Sequence, residues 1–217
     1  MKKIPFVLFA ALFVATAFAQ SEKYVATMQQ RIVALDTMHS IDGMKDLAGA
    51  FERIADAEKT QWLPYYYAAF ENVSMAYAMT QGQMGMAEKT DPIADKAEEL
   101  LNKAEALSKD NSEIYCVKKM IVTLRMMGDP MSRFMTLGPV ASEALETAKK
   151  LNPENPRVYL LEGQDKFYTP EEFGGNKEEA KKLFEEALKK YDNFKPESNI
   201  HPNWGKSQVG YLIAQIK

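Results

Sequence analysis

The sequence predicts an all-α chain built as about four helical hairpins stacked into a solenoid. Apolar residues recur three and four apart over long stretches, and runs of period two are few. Proline, glycine and asparagine break these stretches at intervals that suit helical hairpins. The junctions between successive helices also echo one another along the chain.

The first nineteen residues read as an export signal. Lys2 and Lys3 precede an apolar run from Ile4 to Phe18, and Ala17-Phe18-Ala19 has the small-x-small pattern of a cleavage site. The run is shorter than the roughly 20 residues that cross a bilayer, which argues against a retained anchor. The expected division is a signal peptide over 1–19 and one helical domain over 20–217, placed in the periplasm or secreted, with no membrane insertion after cleavage.

Within that domain the spacing predicts a first helix over Glu22–Thr37, carrying Val25, Met28, Ile32 and Leu35 on one face. A second covers Met44–Lys59, with Leu47, Phe51, Ile54 and Ala55 inward. The third, Leu63–Thr80, starts with Pro64 in its first turn, where the missing donor costs nothing. Gly82 to Asp91 reads as a loop or a frayed helix end, and Asp91-Pro92 as the cap and first residue of a helix over Ile93–Leu107. Ser112 can cap the next helix, which Gly128-Asp129-Pro130 stops. Gly138–Leu151 and Arg157–Phe167 flank Asn152-Pro153-Glu154-Asn155-Pro156, and Asn176 caps Lys177–Tyr191 before a last helix over Trp204–Ile216.

Leu101 to Tyr115 reads LNKAEALSKDNSEIY and Glu146 to Tyr159 reads ETAKKLNPENPRVY, so Ala104 and Tyr115 echo Ala148 and Tyr159. Ala55 and Tyr66 form an earlier copy, and Ala187 with Trp204 a later one. A small residue lets two helices approach, and the aromatic fills the wedge above it. Hairpins that cannot bury both faces stack on their neighbours. The competing reading is a compact helical bundle in which the echo is incidental.

The segments GGNKEEAKKLFEEALKKY (Gly174 to Tyr191) and ALETAKKLNPENPRVYLLEG (Ala144 to Gly163) resemble divergent tetratricopeptide-repeat proteins exported by Bacteroidetes. That resemblance implies a non-enzymatic scaffold binding a peptide or protein on its concave face. A more distant similarity, to the helical accessory component of periplasmic solute-transport systems, implies a small-ligand or transport-linked role. The chain departs from the first family in having units longer than 34 residues.

Composition narrows the function. The net charge is −3, and −5 once Lys2 and Lys3 are removed, with basic pairs interleaved among glutamates, so no nucleic-acid surface is expected. Cys116 is the single cysteine, leaving no internal disulfide and a packing role for its side chain. His39 and His201 stand far apart without ligand spacing, and neither a GxSxG elbow nor a phosphate-binding GKS or GKT loop is present. Paired glutamates such as Glu98-Glu99 need a cleft and opposed environments before they mean acid and base. No catalytic residue, metal site or cofactor is predicted.

What remains is recognition. Trp62, Tyr65, Tyr67 and Tyr77 sit on one helix together with Tyr66 and Phe70, and three consecutive tyrosines about 100° apart cannot all face one neighbour. These four and Tyr168, in the loop before Gly174-Gly175, are the candidate partner-binding residues. Phe173 is expected to pack as a staple on the helix it precedes. The methionines at 75, 79, 84, 86, 120, 126, 127, 131 and 135 read as filler for an irregular core or an adaptable groove. The expected function is a protein-binding or scaffolding module with a protein or peptide partner. Its alternative is a periplasmic small-ligand-binding or transport-accessory protein with its ligand in a cavity between hairpins.

Overall fold

The computed structural model describes residues 22–216, so the predicted signal peptide at 1–19 lies outside the described residues. Every regular element among them is helical. The order is α1 (22–35), α2 (Ile41–Ala57), α3 (Trp62–Thr80), α4 (Ala87–Leu107), α5 (Ser112–Gly128), α6 (Pro130–Leu151), α7 (Pro156–Tyr168), a 3₁₀ turn (Glu171–Phe173), α8 (Lys177–Asn193) and α9 (Lys206–Gln215). No helix among them is long and apolar enough to cross a membrane.

Short polar side chains set most of the helix starts. Ser40, Asn111, Asp129, Asn155 and Asn176 each accept a backbone N–H from the first turn of the helix that follows, satisfying donors left without an intrahelical partner. Two starts lie more than three residues from expectation, each where a proline is taken into the helix. α4 begins at Ala87 instead of Ile93 and carries Pro92 within it, because its early turns dock on the end of α5. There Gly85 N–H donates to the Met127 carbonyl at 3.0 Å, and a Cβ on Gly128 would stand 3.1 Å from Ala87. α6 begins at Pro130 instead of Gly138 and takes Pro139 into its interior.

The stacked solenoid of about four tetratricopeptide-like hairpins is corrected to an irregular helical bundle. In a solenoid each unit touches only its sequence neighbours. Here α3 is an axis, with 14 of its 19 residues buried, and the segment after α8 returns to it across more than 130 residues. Tyr67 Oη donates to the Ile200 carbonyl at 3.1 Å, Trp204 Nε1 donates to Tyr66 Oη at 2.9 Å, and the Trp204 ring stacks on Phe70 at 4.6 Å. Helix lengths from 10 to 22 residues also exclude a uniform unit. The echoed Ala55, Ala104, Ala148 and Ala187 are all buried. The echo thus marks close approaches of helices and does not propagate as a translation.

Beneath Trp204 lies the charged centre of the bundle. Arg157, with no exposed surface, donates from Nε and Nη2 to the Glu113 carboxylate at 2.6 and 2.5 Å, and its guanidinium lies 4.6 Å from the Phe194 ring centre. Tyr191 Oη donates to the Trp204 carbonyl at 2.8 Å. Burial works to lower the Arg157 pKa, but Glu113 outweighs it and holds the guanidinium above its ordinary value.

Close approach of α7 and α8 depends on Gly163. A Cβ built there would lie 2.5 Å from the Phe184 ring, which has no exposed surface. Gly163→Ala is expected to cost about 1 to 3 kcal/mol through overpacking. Urea denaturation checks this, and an unchanged midpoint would show that Phe184 has room to move.

Candidate functional site

A concavity runs between α4 and α6, with α5 as its floor. It has a volume of about 360 Å³, and an adjoining depression of about 400 Å³ shares Asn102 and Tyr115 with it. Each helix contributes a stripe read at helical spacing. From α4 come Glu98, Leu101, Asn102 and Glu105, and from α6 Val140, Glu143, Ala144 and Thr147, both at i, i+3, i+4 and i+7. α5 presents Tyr115, Lys118 and Val122 beside the stripe Ile114, Val117, Ile121 and Leu124 that faces the core.

The floor is apolar, formed by Leu101, Ile121, Val122 and Ala144, while the charges stand at its edges. Lys118 lies 5.2 Å from the Tyr115 ring centre and 3.3 Å from Glu105, and Lys109 lines the outer depression. At the other end Glu98 is held by Arg125 at 2.8 Å, and Arg125 also pairs with Asp95 at 2.6 Å. Burial, and then Glu105, push the Tyr115 hydroxyl above its ordinary pKa, so it stays protonated at neutral pH. None of the lining residues is His, Cys or Met. Among the described residues no group of His, Cys, Asp and Glu is placed to hold a metal ion. Such a slot receives a flat, largely apolar molecule by its edge and leaves the molecule's polar groups at the rim.

The residues singled out from sequence lie elsewhere. Trp62 is half-buried at the start of α3, edge-on to Tyr66 at 5.5 Å and to His201 at 5.8 Å. Tyr65 and Tyr67 are buried in the core, Tyr67 stacking on Phe51 at 5.1 Å, and Tyr77 donates to the Met120 carbonyl at 2.9 Å. Tyr168 is exposed at the end of α7, edge-on to Phe167 at 4.9 Å. These four residues of α3 share one region of the bundle, and Tyr168 is not with them. Phe173, expected as a staple, points into solvent with its ring 6.4 Å from that of Phe134. The slot residues escaped the sequence reading because each stripe alone is that of an ordinary amphipathic helix. Their one signal is α5, whose half-exposed Tyr115, Lys118 and Val122 continue at helical spacing beside its core stripe.

No protein-family model matches the chain, nor does any curated protein. Among solved structures it is similar to the HusA haemophore from Porphyromonas gingivalis, with 32% sequence identity, a TM-score of 0.78, and coverage of 89% of this chain and 92% of that one. This likeness overturns the assignment to exported tetratricopeptide-repeat proteins. The alanine and LNP junctions behind that resemblance are local hairpin chemistry, whereas the match to the haemophore extends over nearly the whole of both chains.

Proposed function

The chain belongs to the family of the HusA haemophore, and from that premise we propose that it carries haem or a closely related porphyrin, held in the slot between α4 and α6. It is an exported, non-enzymatic, all-helical protein of the periplasm or the cell exterior. Kinship with a haemophore favours the small-ligand alternative over the protein scaffold. The observation that carries the siting is the slot's make-up: an apolar floor between two helical walls, with lysines at one mouth.

A porphyrin is a planar apolar ring with carboxylates along one edge. Burying the ring over Leu101, Ile121, Val122 and Val140 supplies affinity at roughly 25 cal/mol per Å² of apolar surface. The carboxylates belong at the Tyr115 mouth beside Lys118 and Lys109, where they share these ammonium groups with Glu105 and Asp110, because the other part of the slot is lined by Glu98 and Glu143 and by no further cation. Tyr115 carries the phenol through which a protein can ligate haem iron. Burial and Glu105 oppose the phenolate that such a bond prefers. In this reading the macrocycle, more than the iron, is recognised.

Titration of the exported protein with haemin and with metal-free protoporphyrin, followed by absorbance and tryptophan fluorescence, tests the proposal. Both ligands are expected to bind, and Val140→Glu, an exposed change, is expected to weaken both at least tenfold with helicity unchanged. Unchanged affinity in Val140→Glu would place the ligand elsewhere. Binding of haemin alone, with a Soret shift abolished by Tyr115→Phe, would make the iron the recognised feature.

A further inference from the structure

We propose that the first turns of α6 are a homodimer interface, in which residues 130–138 of two copies pack antiparallel about a two-fold axis. α6 packs chiefly against α5 and only lightly against α7. Its first turns, residues 130–138, form an overhang that leaves large apolar side chains in solvent. Met131 is 95% and Met135 81% exposed, and Phe134 lies between them. At spacings of three and four these side chains lie on one face. Phe173, 65% exposed on the turn after α7 with its ring 6.4 Å from that of Phe134, extends the apolar surface.

Three observations identify a second copy as the occupant. The overhang has one charged residue, Arg133, which is turned back on its own chain: Nη1 and Nη2 donate to Asp91 at 2.8 and 2.7 Å, and Nη1 also to the Arg125 carbonyl at 3.0 Å. The outward face of residues 130–138 is therefore neutral, with the exposed Glu171 and Glu172 standing at its edge beside Phe173, so a two-fold axis through 134–135 brings no like charges together at its centre. The sequence is also complementary to itself when reversed. An axis passing between Phe134 and Met135 sets Phe134 against Met135 of the second copy and Met131 against its Gly138, where a Cβ would meet nothing within 4 Å. Finally, Met131, Phe134, Met135 and Phe173 together expose roughly 600 Å², below the ~800 Å² per partner of a standard specific interface and in the range of weak, transient ones. That size fits a reversible dimer of micromolar strength.

The dimer concerns the porphyrin-free protein, so it stands or falls apart from the ligand reading. Sedimentation of the exported protein from 1 µM to 500 µM, about the range a micromolar constant spans, is expected to show a monomer–dimer equilibrium. The surface variant Met131→Glu/Met135→Glu is expected to weaken it at least tenfold, with helicity and melting temperature unchanged. In the unaltered protein, peroxide oxidation of Met131 and Met135 should slow as the dimer forms, while that of Met84 on the loop before α4 does not. A monomer throughout that range overturns the proposal, as does a dimer that persists in the variant. Protection of Met131 and Met135 by haemin or lipid vesicles at concentrations where the protein is monomeric overturns it too.

Discussion

Arg157→Ala is expected to cost about 3 to 5 kcal/mol, a large part of the stability of a domain this size. The arginine is fully enclosed and satisfies both oxygens of Glu113. Removing it leaves a partly buried carboxylate without its cation and opens a cavity beneath Phe194 and Trp204. The loss should reach beyond one ion pair, because the same centre holds the segment after α8 against α3 through Tyr66 and Trp204. The pair itself is a different matter. Two apolar residues of similar volume also avoid the desolvation of two charges, so Arg157→Met combined with Glu113→Leu is expected to recover most of the loss. Urea denaturation of the single and double variants measures both, with Trp204 fluorescence reporting the C-terminal segment. A loss below 1 kcal/mol in Arg157→Ala would mean that the segment is held by apolar packing alone.

This centre also explains why the sequence led to helices but not to their arrangement. Helix identity follows from local rules, and Ser40, Asn155 and Asn176 cap as their chemistry requires. Asp91-Pro92 has the same local signature yet lies inside α4, because the docking of Gly128 on Ala87 extends the helix past it. The alanine–aromatic echo is real at each junction, and from it a repeating stack was a fair expectation. Nothing local announces that Trp204 lies on Phe70 or that the Ile200 carbonyl accepts a hydrogen bond from Tyr67. The aromatic crowding of α3 was legible, and its meaning reversed: those rings face several ways because α3 is surrounded. The slot was not legible, since its walls come from α4 and α6 and become a site only when α5 separates them.

At the far side of α3, Glu71 should make the protein less stable as pH rises. The residue is 3% exposed, its Oε1 has no hydrogen-bond partner, and burial raises its pKa from 4.5 to about 7. The folded chain therefore holds a proton between about pH 4.5 and 7 that the unfolded chain releases. Where the folded state binds more protons, stability falls with increasing pH. Below about 4.5 both states are protonated and the penalty vanishes, and above about 7 both are ionised and it is constant. Its full size is about 3 kcal/mol, from 1.36 kcal/mol per pKa unit. Glu71→Gln keeps the shape and cannot ionise, so the variant should match the unaltered protein near pH 4.5 and exceed it by about 2 to 3 kcal/mol at pH 8. Urea midpoints at the two pH values decide it. A difference between the two proteins that does not change with pH would mean that the carboxylate reaches water or a cation as the chain folds. A difference that widens as predicted would show that α3 buries an ionised group at neutral pH at a real cost, which the aromatic and apolar packing around it must offset.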